Sequence, residues 1–456
     1  MALTDWVDLA AIAGELLDAG QDLREPTLVT TPLHASAVDS ILGYSRSEVL
    51  ETATVAWRAP GGADVFGFGS ALSVTGPPDC SFETALPAMR RWLATSRSSG
   101  VPHEARTRLF AGARFAPSGG SKHSPWDTFG GWGFGAPVFL VTSDEDQSSG
   151  SASLVLHPGA EREEIVHRLD KALHPSPQRR HVQGKWPQED ASPERWQMMV
   201  EEALREIEAI KYRKVVLARS RTLTLNAPVE SGRVLDRLGS QYPGCFLFKW
   251  TSGESTFLGA TPELLCRVKN GRIETASLAG SRHRGSTPER DEELRQELLG
   301  DKKERSEHAI VTESILARIA GIAENVQAPR EPDVAQLANI QHLFTPIQAM
   351  PAGGRDILDF VVALHPTPAV GGHPSSEALD AIARIERLDR GWYAGPIGWV
   401  DAAGNGEFAV ALRSAVLSGS TAMLFAGAGI VEGSDPSREW TETDLKLRPL
   451  TEAILG

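Results

Sequence analysis

The chain has 456 residues, 41% of them hydrophobic and 23% charged, which is the composition of an ordinary globular protein with a sizeable core. A formal net charge of −13 argues against nucleic acid or an anionic membrane as the main partner. Three cysteines without metal-ligand spacing predict a reducing compartment. With no signal-peptide pattern at the start and no apolar run near the roughly 20 residues of a membrane span, we expect a cytoplasmic protein.

Residues 1–190 are typical of a mixed α/β region with little chemistry of its own. The pattern predicts a helix over 8–20, a strand over 64–74 and a helix over 82–100. The polar, proline-rich segment 174–193 is predicted to be a linker or surface loop. We therefore divide the chain into a part over 1–190 and a part over 191–456.

Four aromatic residues interleaved with glycines fall in the first part: Trp126, Phe129, Trp132 and Phe134. This pattern suits a binding loop or a turn whose aromatic side chains enter the core. The second interpretation is the commoner one, so we assign no site to residues 1–190.

The second part begins with a strong helix signal and a strand with an unusual lysine. Ser192 and Pro193 predict a capped helix start, and an amphipathic helix follows. Lys214 then precedes the apolar run Val215–Leu217. Its amine either reaches solvent or is partly desolvated, and a desolvated lysine is available as a neutral base.

Two hairpins are predicted next, over 245–260 and around Asn270-Gly271, a pair that favours a two-residue turn. Glu263 lies between them, followed at once by Leu264 and Leu265. Burial of a carboxyl group in such a position would raise its pKa and favour the acid form.

Two predicted helices each carry a Glu-x-x-Glu pair, Glu304 with Glu307 and Glu439 with Glu442. Residues at this spacing share a helix face, and a solvated charged face is the ordinary explanation. If the two helices faced each other, however, the carboxylates would converge and require a cation or protons between them. All-oxygen ligands point to Mg²⁺ rather than zinc.

Near the C-terminus the pattern predicts strands over 397–400, 407–417 and 421–426 and a Gly-Ala-Gly loop over 427–429. On the middle strand, Arg413 would share a face with alanines. Space in front of an arginine suggests a pocket for an anionic group. The alternative is an edge-strand arginine that faces solvent.

These segments together resemble the chorismate-utilising enzymes, the family of isochorismate synthase, salicylate synthase and the large components of anthranilate and aminodeoxychorismate synthases. The resemblance is dense over roughly residues 195–450 and rests on KVVLARS, FLGATPELL, TASLAGS, ERSEHAIV, HLFTPI, LHPTPAVGG, GWYAGPIGW, FAVALRSA and GAGIVEGSDPSREWTETDLK. It implies an α/β (α+β) fold like that of anthranilate synthase component I. Central antiparallel β-sheets would lie between outer helices, both parts of the chain would form one domain, and the site would lie in a cleft.

The resemblance also implies roles for individual residues. Lys214 is similar to the base that activates water for attack at C2 of chorismate, and Glu263 to the acid that protonates the departing C4 hydroxyl. The implied Mg²⁺ ligands are Glu307 and Glu442, assisted by Glu304 and Glu439. The implied substrate contacts are Tyr393, Arg413, Lys446 and the backbone at Gly427 and Gly429, with His342, Thr275 and Ala369 as further pocket residues.

Two positions discriminate within the family. Ammonia-using members typically have glutamine where this chain has Lys214, so lysine implies water as the nucleophile. Salicylate synthases have threonine where this chain has Ala369, so alanine favours stopping at isochorismate. We therefore expect a Mg²⁺-dependent isochorismate synthase of menaquinone or siderophore biosynthesis. It would bind the small molecule chorismate as a monomer or weak homodimer, without an amidotransferase partner.

Three other functions stay open at this point. A salicylate synthase would also release pyruvate. An anthranilate or aminodeoxychorismate synthase component would use ammonia. A non-catalytic chorismate-binding protein would have affinity without turnover.

Overall fold

The computed structural model describes residues 27–33, 46–95, 97–99, 108–117, 124–143, 150–156, 188–189, 191–336 and 340–456. The helix predicted over 8–20 lies outside the described residues, as does most of the predicted linker.

The described helices are α1 (Arg46–Thr52), α2 (Leu86–Thr95), α3 (Pro193–Glu208), α4 (Ser231–Gln241), α5 (Pro288–Gly300), α6 (Lys302–Ile319), α7 (Ile357–Leu364), α8 (Ser375–Ile385) and α9 (Pro436–Leu455). The strands are β1 (Thr27–Leu33), β2 (Val55–Arg58), β3 (Asp64–Phe68), β4 (Leu72–Gly76), β5 (Arg97–Ser99), β6 (Arg108–Ala113), β7 (Trp132–Ala136), β8 (Phe139–Ser143), β9 (Gly150–Leu156), β10 (Gln188–Glu189), β11 (Lys214–Thr224), β12 (Phe246–Ser252), β13 (Ser255–Thr261), β14 (Leu264–Lys269), β15 (Arg272–His283), β16 (Ala323–Gln327), β17 (Asp333–Gln336), β18 (Ile340–Pro351), β19 (Gly372–His373), β20 (Pro396–Asp401), β21 (Gly406–Val410), β22 (Ser414–Ser418) and β23 (Thr421–Ile430).

The strands form two sheets. The large sheet has 13 strands in the order β10-β11-β23-β22-β13-β12-β2-β3-β8-β9-β1-β5, with β19 also paired to β11. The small sheet has 10 strands in the order β16-β18-β15-β14-β21-β20-β6-β7-β4, with β17 also paired to β18. Among the described strands only β1 and β5 pair in parallel. Antiparallel sheets with helices packed against them confirm the predicted α+β class.

Both parts of the chain contribute to both sheets. In the large sheet β12 pairs with β2, and in the small sheet β20 pairs with β6. One hydrophobic core also contains residues from both parts, for example Trp57, Phe110, Phe246 and Phe408. The boundary at residue 190 therefore separates two lengths of chain whose backbone hydrogen bonds and core are shared.

Several predicted strands are divided because the chain crosses from one sheet to the other. The strand predicted over 64–74 is β3 in the large sheet and β4 in the small one. The strand predicted over 407–417 is likewise β21 and β22, in different sheets. Arg413 lies at this break with φ of 45°, a left-handed conformation that interrupts the alternation of a strand. The prediction of one face shared with alanines was therefore wrong.

Two further boundaries differ from the predictions. The Gly-Ala-Gly stretch 427–429 is the end of β23 rather than a loop, since it pairs with β11 at Leu217↔Ala428. The segment predicted as one helix over 82–100 begins with a 3₁₀ turn, Phe82–Ala85, which is followed by α2. Near the end of this segment the chain forms β5. Apolar content alone did not separate these elements, because their ends are set by pairing partners far along the chain.

Local signals are confirmed where hydrogen bonds within the segment decide the conformation. The Ser192 hydroxyl accepts from the Arg195 N–H at the start of α3, with Pro193 as the first helical residue. Asn270 and Gly271 have φ of 53° and 73° in the β14–β15 hairpin, as a primed turn requires. No helix in the described ranges has the length and apolar character needed to cross a bilayer.

The four aromatic residues of the glycine-rich segment are buried in the core. Trp126 is 1% exposed, and its ring lies edge-on to Phe129 and Phe257. Trp132 stacks on Phe134. This confirms the interpretation as core aromatics.

Candidate active site

A cavity lies where strands of the two sheets face each other. It contains about 890 Å³ of atom-free space, part of it open to solvent. Eleven of the predicted site residues line it: Lys214, Glu263, Glu307, His342, Ala369, Tyr393, Arg413, Gly427, Gly429, Glu442 and Lys446. Its lining runs from Lys214 to Lys446 and includes none of the described residues of the first part.

Lys214 is the first residue of β11 and is buried at 2% exposure, so its amine does not reach bulk solvent. The Nζ atom donates to Glu307 Oε1 at 2.6 Å. A Cβ atom on Gly429 would lie 3.1 Å from Lys214 Cε, so the glycine of the neighbouring strand leaves room for the lysine. The structure thus holds an amine, paired with one carboxylate, in the wall of the cavity.

Glu263 lies where the chain crosses from β13 in the large sheet to β14 in the small sheet. It is 8% exposed, and burial raises the pKa of its carboxyl group to about 7. The Thr367 hydroxyl donates to Glu263 Oε1 at 3.4 Å. A substantial fraction of this carboxyl group is therefore protonated near neutral pH and able to donate its proton.

Arg413 occupies the second crossover, between β21 and β22, and its guanidinium lines the cavity. Its Nη1 atom is buried and finds no hydrogen-bond partner among the described residues. The solvent-facing alternative is therefore wrong. A half-buried guanidinium with one buried, unpartnered nitrogen is suited to a carboxylate.

Tyr393 forms another part of the cavity wall and stacks on Phe425 with ring centroids 5.2 Å apart. Burial raises the pKa of its phenol, so the hydroxyl stays protonated and can donate. A Cβ on Gly427 would lie 3.2 Å from the Tyr393 hydroxyl oxygen, so this glycine leaves room for the hydroxyl group.

Lys446 and His342 complete the polar lining. Lys446 Nζ donates to the Gly427 carbonyl at 2.9 Å and to Glu442 Oε1 at 2.7 Å, and this lysine lowers the pKa of Glu442. Burial, with Arg413 and Lys446 nearby, lowers the pKa of His342 to about 3. The imidazole is therefore neutral, and its Nδ1 lies 2.7 Å from the Ser281 hydroxyl.

Carboxylates from α6 and α9 reach the same cavity through Glu307 and Glu442, while Glu304 and Glu439 on the same helices are not among its lining residues. Burial raises the pKa of Glu304, and burial together with Glu442 raises that of Glu439 to about 7. In the described ranges no three His, Cys, Asp or Glu side chains form a cluster that could hold a metal ion. Glu307 and Glu442 offer carboxylate oxygens, the donor type that a hard cation such as Mg²⁺ prefers.

Thr275 is the predicted pocket residue that the structure places elsewhere. Its side chain is buried and its hydroxyl donates to the Leu265 carbonyl at 2.7 Å, so it does not line the cavity. On β15, residues 273, 275 and 277 are buried while Leu278 lines the cavity, which is the alternation expected of a strand.

The cavity also has lining residues that the prediction omitted: Val216, Pro262, Leu278, Ala279, Gly280, Ser281, Val370, Arg390, Ala394, Leu412, Phe425 and Ala426. Leu278–Ser281 belong to the TASLAGS segment, so that motif was a usable signal. Arg390 directly precedes GWYAGPIGW and had no such signal, because its position depends on contacts with distant residues.

A partly enclosed cavity between the two sheets, lined by four lysine and arginine side chains and three glutamates, defines an enzyme-like site for a small anionic molecule. Comparison with known proteins agrees. The family model described as chorismate binding enzyme matches residues 14–455. The chain therefore belongs to the family of chorismate-binding enzymes.

Two relatives and one solved structure show which members of this family the chain is similar to. The chain is 35% identical over 441 residues to a salicylate biosynthesis isochorismate synthase of Pseudomonas aeruginosa, covering 95% of this chain and 91% of that protein. It is 36% identical over 352 residues to the isochorismate synthase MenF of Bacillus subtilis, covering 76% of this chain and 74% of that protein. The menaquinone-specific isochorismate synthase of Escherichia coli superposes with a TM-score of 0.80 at 25% identity, covering 98% of this chain and 99% of that one.

Proposed function

We propose that this chain is a Mg²⁺-dependent isochorismate synthase, an isomerase that moves the hydroxyl group of chorismate from C4 to C2. The observation that carries the proposal is the joint presence of Lys214 and Glu263 in one cavity wall, a buried amine and a buried carboxyl group whose pKa is raised to about 7. Relatives that are named isochorismate synthases support it.

In the proposed reaction, Lys214 takes a proton from a water molecule that attacks C2. The ring double bonds shift, and the C4 hydroxyl leaves as water with the proton that Glu263 donates. One water enters and one leaves, so substrate and product are isomers. General acid–base groups of this kind contribute about 10²–10⁴-fold each to the rate.

Cationic and hydroxyl donors around the cavity would hold the substrate. Arg413 has a free buried guanidinium nitrogen for a carboxylate, and Lys446 adds a second positive charge. Tyr393 contributes a protonated phenol. These groups fit a dianionic substrate, and they orient it between the base and the acid.

Glu307 and Glu442 would hold Mg²⁺, supported by Glu304 and Glu439. When bound, the ion would neutralise and orient the ring carboxylate of chorismate. Without a ligand, Lys214 Nζ contacts Glu307 and Lys446 Nζ contacts Glu442, so each of these two carboxylates already has a lysine partner.

Incubation of the purified protein with chorismate and Mg²⁺, followed by chromatography of the products, tests the proposal. Isochorismate without pyruvate, lost on chelation and in Lys214→Gln and Glu263→Gln variants, is the expected result. Glu324→Gln is the matched control, since this glutamate is exposed on β16 outside the cavity.

Other products would overturn the proposal in identifiable ways. Salicylate and pyruvate in quantity would assign a salicylate synthase. An aminated product that forms only with added ammonium would assign an anthranilate-type activity. Chorismate binding without turnover by the wild type would assign a binding protein.

A further inference from the structure

A buried ion pair that the proposed chemistry does not use lies in the cavity wall. Arg390 is 4% exposed and lines the cavity, and Glu386, four residues earlier at the end of α8, is 7% exposed. Arg390 Nε donates to Glu386 Oε2 at 2.9 Å, and Nη2 donates to Oε1. The guanidinium also lies over the Phe115 ring, 4.1 Å from its centroid. This planar group is therefore fixed on several sides.

The remaining donors of Arg390 bind backbone carbonyls of two other segments. Nη1 donates to Val370 at 3.0 Å, and Nη2 donates to Val216 at 2.7 Å. Glu386 Oε1 in turn accepts from the Ala218 N–H at 2.7 Å. One ion pair thus connects β11 with residues 365–371, the segment that we call the proline loop, next to the direct backbone bond from the Val216 N–H to the Gly371 carbonyl at 2.9 Å.

Both connected segments carry residues of the proposed reaction. On β11, Lys214 is two positions before Val216, so their side chains share the face that lines the cavity. In the proline loop, Ala369 precedes Val370, and Thr367 donates to Glu263. Arg390 therefore lies between the strand that carries the base and the loop that contacts the acid.

We propose that Arg390 is a positioning residue, whose two carbonyl contacts set the spacing between Lys214 and the proline loop. This inference rests on the proposed function. Replacing a buried ion pair by apolar groups is often neutral for stability, so the pair's distinctive contribution here is geometric. A planar fork of donors can hold two carbonyls and a carboxylate at once, and a lysine has no equivalent geometry.

Three variants distinguish a positioning role of Arg390 from a role that only neutralises the buried charge of Glu386. Arg390→Met leaves Glu386 buried without its partner and should lower the Tm. In the double variant Arg390→Met/Glu386→Gln the uncompensated charge is gone, so most of the Tm should return. If Arg390 positions the site, kcat stays reduced by about 10²-fold in Arg390→Lys, Arg390→Met and the double variant, because a misplacement of about 1 Å costs that much. KM should change by less than about threefold.

Arg267→Lys is the control, because Arg267 pairs with the buried Glu407 in the small sheet and does not line the cavity. It should lower the Tm without changing kcat. A double variant that regains kcat together with Tm would overturn the inference.

A second measurement does not depend on turnover. The N–H groups of Val370 and Gly371 donate to the Thr367 carbonyl at 3.1 and 2.9 Å, so their hydrogen exchange reports on the order of the proline loop. Exchange should be faster in the double variant than in wild type, and unchanged exchange would overturn the inference. If wild type forms no isochorismate, the proposed function fails, while this exchange measurement still decides whether Arg390 fixes the loop.

Discussion

At the scale of single residues, the site is concentrated where the chain passes between the sheets. Glu263 and Arg413 occupy two such crossovers, and these are neighbours, since the Val410 N–H donates to the Glu263 carbonyl at 3.0 Å. Where the chain leaves one sheet for the other, a side chain can point into the space between the two sheets. Within a strand, only the side chains on one face point into that space. This placement explains how an acid and a cation reach one cavity from chain positions 150 residues apart.

The raised pKa of Glu263 predicts the pH dependence of catalysis. The acid must carry its proton, and its pKa is about 7, so kcat/KM should fall about tenfold per pH unit above that value. Glu263→Gln should lower kcat by about 10²–10⁴-fold and abolish this alkaline limb. A pH-rate profile of both proteins checks it. Persistence of the limb in the variant would assign it to another group.

A second residue-scale prediction concerns stability at a position remote from the site. Ile210 follows α3 with φ of 55° and is 86% exposed, so it has left-handed strain without compensating burial. Ile210→Gly should raise the free energy of unfolding by about 0.5–1 kcal/mol, after allowing for the greater entropy of glycine in the unfolded chain. Urea denaturation measures it. Ile210→Ala keeps the Cβ and should change little, so an equal gain in both variants would contradict the explanation.

At the scale of elements, a buried lysine connects the large sheet to a short helix. Lys249 on β12 is 3% exposed, and its Nζ donates to the carbonyls of Leu50 and Glu51 in the last turn of α1. Glu51 in turn accepts from the Gly232 N–H at the start of α4. A cation at the end of one helix and an anion at the start of the next complement both helix dipoles.

This arrangement predicts a pH-dependent stability difference. Burial lowers the pKa of Lys249 to about 8 from 10.5, so between these values the unfolded chain binds the proton more readily than the folded one. The free energy of unfolding of wild type should therefore rise with pH, by about 2 kcal/mol between pH 8 and 10, relative to Lys249→Met. Urea titrations at both pH values check it. Lys269→Met, at an exposed hairpin position, is the control, and a parallel pH dependence of wild type and Lys249→Met would contradict the prediction.

At the scale of the whole molecule, the described residues of the first part support the cavity walls, and none of these residues lines the cavity. Its strands extend both sheets, and long-range contacts such as Trp57 Nε1 to Glu407 Oε1 at 2.6 Å join it to the second part. We therefore propose that residues 1–190 and 191–456 form one cooperative unit. Shared strands and core packing keep the cavity walls in place, although the described residues of the first part do not line the cavity.

Cooperativity gives the prediction at this scale. Phe110→Ala, in the first part and 3% exposed, should destabilise the whole chain by about 3–5 kcal/mol. It should lower the temperature of a single unfolding transition in which turnover and tryptophan fluorescence disappear together. Calorimetry with both probes checks it. Two separate transitions, with turnover lost in only one, would show that the parts unfold independently.

Features that depend on short-range interactions could be predicted from the sequence alone. The helix cap at Ser192 and the Asn270-Gly271 turn follow from hydrogen bonds and backbone dihedrals within a few residues, whereas the α+β class was implied by the family resemblance. Motif resemblance also selected eleven residues that line one cavity. Such residues can be recognised from the sequence because their residue type is unusual among the neighbouring residues.

Three features became visible only in the folded chain. Two predicted strands are divided between the sheets, Thr275 points away from the cavity, and Arg390 lies in the cavity wall. Each depends on partners far along the chain, as in the contacts of Arg390 with Val216, 174 residues away, and of Thr367 with Glu263, 104 residues away. Periodicity records which residues are apolar but not which strand they pair with, because the alternation of a strand looks the same in either sheet. Chain crossings and buried polar contacts are therefore fixed by the packing of the complete fold.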